Sequence, residues 1–329
     1  MNLTEFNKSD RCEHFSCPER SVSPAVYILL YVCSTAVVLL TACGNLLVII
    51  SVFHFKQLHT PTNMLVLSLA VSDFLSGIFV LPLMLIWTIE SCWIFGSDFC
   101  TIYWLINSLI TISVYTIAQI AVDRYLAFSN PFLYVNIVSV KINCVVIVMN
   151  WSVVVTYMLA LQYFSENLKS SVMCPGECFF SLNKVWTVID LVFSFIFPLS
   201  VIIIFYTQVF VIAKKHATAI RELNNHTRPN AQKITTHSMK SERKAAKVLS
   251  ILVSVFLVSL LPYFIYSLLG NVIELQLETV QKALIIFYLN STINPFIYAL
   301  FYPWFRKSIK IIVTLQIFQR DSSLINVLL

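Results

Sequence analysis

The chain has 329 residues, 58% of them hydrophobic and only 12% charged, with a mean hydropathy of +0.81. A soluble domain carries about 25% charged residues, and no water-soluble core absorbs this much apolar surface, so a soluble enzyme or binding module is excluded. The net charge of +6 reads as a membrane-topology signal and not as a nucleic-acid surface.

The apolar residues fall in runs of twenty or more, each long enough to cross a hydrocarbon layer ~30 Å thick at ~1.5 Å rise per residue. Without water to satisfy backbone groups, such runs must be helices or a closed barrel, and the absence of strict alternation selects helices. The fold class is therefore all-α, a seven-transmembrane helix bundle.

In chain order, a polar tail (1–25) carries Cys12, Cys17 and the sequons Asn2-Leu3-Thr4 and Asn7-Lys8-Ser9, which make Asn2 and Asn7 glycosylation candidates. One helical domain (26–301) follows, with spans expected at 26–52, 62–88, 99–127, 142–164, 185–213, 244–270 and 279–301. The first span follows a polar stretch and lacks the basic start and cleavage site of a signal peptide. Residues 214–243 form the longest polar connection, and residues 302–329 form a terminal helix and tail. There, Trp304-Phe305-Arg306-Lys307-Ser308-Ile309-Lys310 sets apolar residues against cations, as in a short amphipathic helix on membrane lipid.

These spans place 6 of the 22 Lys and Arg on the amino-terminal side and 16 on the other. The positive-inside rule makes the second side cytoplasmic, and Cys12, Cys17, Cys92, Cys100, Cys174 and Cys178 then fall on the outer, oxidising side.

Ionisable groups at bilayer depth are functional candidates. Asp73 lies mid-span, where Ser113, Asn290, Ser291 and Asn294 can surround it with polar groups. That set suits a hydrated Na+ as an allosteric ion, the alternative being a polar cluster that only locks the bundle. Asp123-Arg124-Tyr125 ends the third span, with Glu242 just before the sixth on the same side, so Arg124 has two acids to pair with. Asp190 lies eight residues before Pro198, ~12 Å further out along the helix. No Lys, Arg or His at that depth neutralises it, so an external cation is its natural partner, with Tyr103, Trp104, Tyr263, Phe264, Phe287 and Tyr288 offering aromatic faces. The alternative is a protonated, hydrogen-bonded core residue. No His-Glu-x-x-His, Gly-x-Ser-x-Gly or catalytically spaced pair of intramembrane acids occurs, which argues against an enzyme, and the lack of an internal repeat argues against a transporter.

Asn45, Asp73, Asp123-Arg124-Tyr125, Trp151, Pro198, Tyr206, Phe256, Pro262 and Asn294-Pro295-Phe296-Ile297-Tyr298, in this order and spacing, resemble the rhodopsin-like receptors. The run Asn290 to Lys307, together with Glu90-Ser91-Cys92-Trp93 and Cys174-Pro175-Gly176-Glu177-Cys178, looks more narrowly like the trace amine-associated receptors. The resemblance implies a plasma-membrane receptor with its amino terminus outside, detecting amines in olfactory neurons. Its partners would be a stimulatory heterotrimeric G protein that raises cAMP, with arrestin as a further one. It also implies a disulfide from Cys100 to Cys178 and another from Cys174 to Cys12 or Cys17.

The implied ligand set is Asp190, Asn107, Ile106, Tyr103, Tyr263, Phe264, Tyr288 and Phe179. The implied activation and coupling set is Asp123, Arg124, Tyr125, Tyr206, Phe256, Pro262, Pro295, Tyr298 and Glu242. Two departures stand out. The usual helix-three Asp is replaced: seven residues after Cys100 stands Asn107, and eighteen before Arg124 stands Ile106. Asp190 instead matches an acid found in helix five of some fish members, implying an amine bound in reversed orientation. Leu260 stands where the family usually places a Trp. Within the receptor class, the alternative is a sensor of a non-amine ligand with Asp190 structural.

Overall fold

The computed structural model describes residues 17, 23–167, 176–178, 184–226, 251, 253–263, 265 and 277–328. Asn2, Asn7, Cys12, Cys174, Phe179, Glu242, Phe264 and most of the 214–243 connection lie outside the described residues. Regular structure among the described residues is helical. In chain order the helices are α1 (Pro24–His54), α2 (Pro61–Glu90), α3 (Gly96–Ser129), α4 (Val140–Asn167), α5 (Lys184–Leu191, continuing through a π turn into Phe197–His226), α6 (Val253–Tyr263), α7 (Leu277–Phe301) and α8 (Pro303–Val313). Six of these helices are long and apolar enough to cross a membrane, and the described part of α6 is a shorter apolar helix.

Helix starts are marked by proline at Pro24, Pro61, Pro131 and Pro303, where the missing N–H would have had no helical partner. Thr60 caps α2 by accepting from the Asn63 amide at 3.3 Å, and Ser91, in the left-handed conformation at φ 54°, ends it. Two prolines inside the bundle act differently. Pro82 and Pro198 each stand two residues beyond a π turn, at Ser76–Val80 and Val192–Ile196. A proline ring crowds the carbonyl four residues back and supplies no N–H, and a widened turn relieves both. In α5 the Phe197 amide reaches back to the Val192 carbonyl. Pro198 has no N–H to give Phe193, whose carbonyl instead accepts from the Tyr115 hydroxyl of α3 at 2.8 Å.

α3 is the central strut, packed against α2, α4 and α5, while α1 packs against α2, α7 and α8. Interdigitated apolar side chains including Ile117, Ile120, Ile202, Phe256, Leu260 and Tyr298 form the core. Leu260 is 1% exposed and fills the α6 position with aliphatic volume. Long apolar residues such as Leu29, Val32, Phe53, Ile204 and Phe210 face outward; this surface suits lipid and identifies a multi-pass membrane protein. α8 is amphipathic, burying Trp304, Phe305 and Ile311 and exposing Arg306 and Lys310. The tail then folds back under α1, where His54 bonds Ser322 at 2.9 Å and Gln57 accepts from the Val327 amide at 3.2 Å.

Among the described residues, two disulfides fasten the amino-terminal face. Cys100, in the first turns of α3, pairs with Cys178 across a Cα separation of 5.6 Å. Cys17 pairs with Cys92 at 5.5 Å, which removes Cys17 as the expected partner of Cys174; the other expected pairing, Cys12 with Cys174, lies outside the described residues. The turn at Ser91 brings Cys92 beside the 176–178 segment, where the Trp93 amide donates to the Gly176 carbonyl at 2.8 Å.

α1 and α7 approach so closely at Gly44 that an added Cβ would lie 2.8 Å from Pro295 Cβ. Alanine at Gly44 gains up to about 1 kcal/mol of helix propensity, but overpacking against a rigid ring costs about 1–3 kcal/mol. Gly44→Ala is therefore expected to melt at lower temperature in detergent, as followed by a thiol-reactive dye; an unchanged or higher melting temperature would refute the close contact.

Candidate functional site

A cavity of about 330 Å³ opens among α3, α4, α5, α6 and α7, at the small end of ligand pockets, which run to about 1,000 Å³. Asp190 lines it. The Oδ1 atom accepts from the Tyr157 hydroxyl at 3.1 Å and the Ser194 hydroxyl at 2.9 Å. Among the described residues no hydrogen bond reaches Oδ2, and no Lys, Arg or His pairs with the carboxylate. Tyr157 is itself held by stacking on Phe193, with ring centroids 3.9 Å apart. Ser194 and Phe193 both lie within the π turn, so Pro198 shapes the setting of the acid from eight residues away.

The cavity wall also includes Asn107, Thr111, Tyr263 and Phe287. Tyr263 and Phe287 stack at 5.4 Å. α3 is interrupted at Asn107, between Gly96–Ile106 and Ser108–Ser129, and of the two register candidates it is Asn107 that lines the cavity, while Ile106 packs into a second layer behind it. Tyr103 and Tyr288 also sit in that layer, 1% and 2% exposed, together with Trp87 and Trp93. The Tyr288 hydroxyl donates to Asn107 Oδ1 and lies 3.4 Å from the Tyr103 hydroxyl. Asp190, Asn107 and Tyr263 are thus brought together at one cavity, whereas Tyr103, Ile106 and Tyr288 stand behind its wall. Sequence reading missed Tyr157 and Ser194. Ser194 was findable from its spacing of four residues to Asp190; Tyr157 belongs to another helix and had no local signal.

Toward the middle of the bundle, Asp73 is fully buried. Its Oδ1 accepts from Ser291 at 2.8 Å and Ser113 at 3.3 Å, and its Oδ2 from Asn294 at 2.7 Å. Asn290 is buried nearby on α7 but donates nothing to Asp73; the Oδ1 atoms of Asn290 and Asn294 are buried without partners. Ser72, which bonds Ser113 at 2.8 Å, and Asn45, which donates to the Ser291 carbonyl at 3.0 Å, extend the network to positions the sequence did not single out for it.

At the basic face, Arg124 donates to Asp123 through Nε at 3.0 Å and through its terminal nitrogen, which also reaches Thr62. Asp123 further accepts from Thr62 and Tyr134, each at 2.9 Å. Thr62 on α2 and Tyr134 on the short helix Pro131–Ile137 were not foreseen. Tyr125 points away from this lock and packs on Phe205, with centroids 5.1 Å apart. The Tyr206 and Tyr298 hydroxyls are buried without hydrogen-bond partners. Phe256 is core, and Pro262 is half-buried.

Residues 44–298 match the model of the 7 transmembrane receptor (rhodopsin family). The chain is 38% identical to trace amine-associated receptor 13c of Danio rerio, over 99% of this chain and 98% of that one. It is 37% identical to trace amine-associated receptor 6 of Pan troglodytes, over 94% and 92%, and 38% identical to trace amine-associated receptor 7f of Mus musculus, over 94% and 89%. The domain match supplies the seventh span through α6, and the family is one of receptors and not of enzymes, with a small-molecule ligand and a heterotrimeric G protein as partners. A cavity at one end of the bundle, an acid-bound arginine at the other and full-length similarity agree: the chain belongs to the rhodopsin-family seven-transmembrane receptors and, among them, to the trace amine-associated receptors.

Proposed function

We propose that this receptor senses amines at the plasma membrane, with its amino terminus outside, and that the ligand ammonium binds Asp190. The observation that carries the reading is a carboxylate lining a cavity with one oxygen unclaimed among the described residues, no protein cation beside it, and the stacked Tyr263 and Phe287 rings in the same wall. An ammonium there gains charge pairing in a medium poor in water and cation–π contact with the rings. The names of the relatives support an amine as the ligand class. The two hydroxyl donors on Oδ1 favour a second reading, in which Asp190 serves only to join α4 to α5 and the ligand is not an amine.

Signalling then follows by population shift. The Arg124, Asp123 and Thr62 lock describes a resting arrangement. A ligand that binds more tightly to a state with Arg124 released, and with the buried Tyr206 and Tyr298 hydroxyls partnered, moves the equilibrium toward that state in proportion to its preference. In this reading the active state engages a stimulatory G protein and raises cAMP, arrestin binds the same face, and the receptor works in olfactory neurons. Asp73 with the orphaned Oδ1 atoms of Asn290 and Asn294 forms an oxygen set able to hold Na+, which would favour the resting state.

Three outcomes are expected in cells reporting cAMP. Asp190→Asn lowers amine potency roughly 100-fold or more, the scale of losing one partner of a desolvated charge pair, with surface expression retained. An unchanged amine dose response would end the reading of Asp190 as the anchor, whereas a receptor silent to every amine and driven by a neutral odorant in the same panel would favour the second reading. Asp123→Asn weakens the hold on Arg124 and raises ligand-free cAMP several-fold, and basal signalling equal to the parent would contradict the lock. Asp73→Asn abolishes any dependence of agonist affinity on Na+ against a choline control, whereas a persisting dependence would place the ion elsewhere.

A further inference from the structure

Asn107 is a polar side chain in the wall of the cavity, and its orientation is set from behind. The Tyr288 hydroxyl has one proton and gives it to Asn107 Oδ1. Tyr288 is 2% exposed, packed against Phe287 on its own helix at 5.8 Å and within 3.4 Å of the Tyr103 hydroxyl. With Oδ1 engaged by a buried donor, the amide plane turns its Nδ2 group away from Tyr288. Among the described residues nothing accepts a hydrogen bond from Nδ2, and this nitrogen is not among the buried polar atoms without partners. It therefore keeps access to the cavity that Asn107 lines.

The cavity thus carries two unlike polar groups on different helices: a carboxylate oxygen at Asp190 and an N–H donor at Asn107. Resting on the reading of Asp190 as the ammonium anchor, we infer that this receptor is selective for amines that carry a neutral hydrogen-bond acceptor, such as an ether or carbonyl oxygen, at the end remote from the nitrogen. A plain alkylamine desolvates Nδ2 without replacing its lost water, which lowers its potency about 10-fold or more. A diamine does worse, because its second ammonium brings donors to a donor and a charge to a site where Asn107 supplies no compensating one. Sites built around a hydrogen-bonding group discriminate strongly against analogues that lack its partner. Tyr288 is a positioning residue here: it touches Asn107 and sets which amide atom faces the ligand.

The test is a cAMP dose-response series of alkylamines of three to eight carbons, the matching ethers with one methylene replaced by oxygen walked along the chain, and diamines of equal length. The parent receptor should prefer the ether at one oxygen position by about 10-fold or more over the alkylamine of the same length, with the diamine weakest. Asn107→Leu should collapse that ratio to near one. Tyr288→Phe, which keeps the ring and removes only the proton donor, should shrink it and raise the relative potency of the diamine, so the inference stays testable if the leucine variant does not reach the surface. The inference is overturned if no oxygen position is preferred, if diamines are preferred, or if the ratio survives both substitutions. Failure of the anchor reading shows separately, as alkylamine and ether responses that both survive Asp190→Asn.

Discussion

Helices immersed in hydrocarbon gain little by burying apolar side chains against each other instead of against lipid, so close packing and polar contacts decide which helices meet and in what register. Asp73 is the contact on which the rest of this bundle turns. Its two oxygens take donors from α3 and α7 at the same time, and Ser291 passes the connection to α1 through its carbonyl and Asn45. A carboxylate with no exposure is tolerable only because all its neighbours are donors. The same requirement fixes the depth of α7 against α2, and with it the placing of Tyr288 behind the cavity and of Tyr298 against Tyr302 and Phe305.

On either side of that hub, the bundle uses backbone irregularity where side-chain packing alone would give straight rods. The π turn before Pro198 withdraws one carbonyl from the helix and gives it to Tyr115, which couples α3 to α5. It also carries Phe193 and Ser194, two of the groups that hold Asp190 in place. The interruption of α3 at Asn107 performs a matching task on the α3 side of the cavity. Both walls of the cavity are therefore shaped by departures from the regular helix, which is where π turns tend to carry function. The basic face works by a different principle, a compact charge pair with two hydroxyl donors, in which Asp123 and Arg124 share Thr62.

Much of this was open to reading before any coordinates. Apolar run lengths and the few intramembrane acids already specify helices and a count of spans, because hydrocarbon admits so few alternatives. Asp73, Asp123, Arg124 and Asp190 stand out for the same reason: a charge in lipid is expensive wherever it occurs, and no partner need be known to see it. Ser113, Ser291 and Asn294 could be gathered around Asp73 because each lies at mid-span depth on its own helix.

What only the tertiary structure decided is who faces whom. Depth along a helix follows from counting residues, but rotation about the helix axis depends on π turns and breaks. One inserted residue rotates everything beyond it by about 100°, which is why Asn107 and Ile106 could not be told apart by counting from either side. Tyr157, Thr62 and Tyr134 carry no charge, so nothing in the chain marks them as partners of acids on other helices. Cys17 joined Cys92 because the turn at Ser91 set the second cysteine on the right face, and disulfide pairing is a matter of Cβ proximity that spacing in sequence does not encode. The sequence by itself determined the solvent, the helices and the charges that need an explanation; the packed bundle determined the partners that supply it, since those are chosen by angle and distance between helices far apart in the chain.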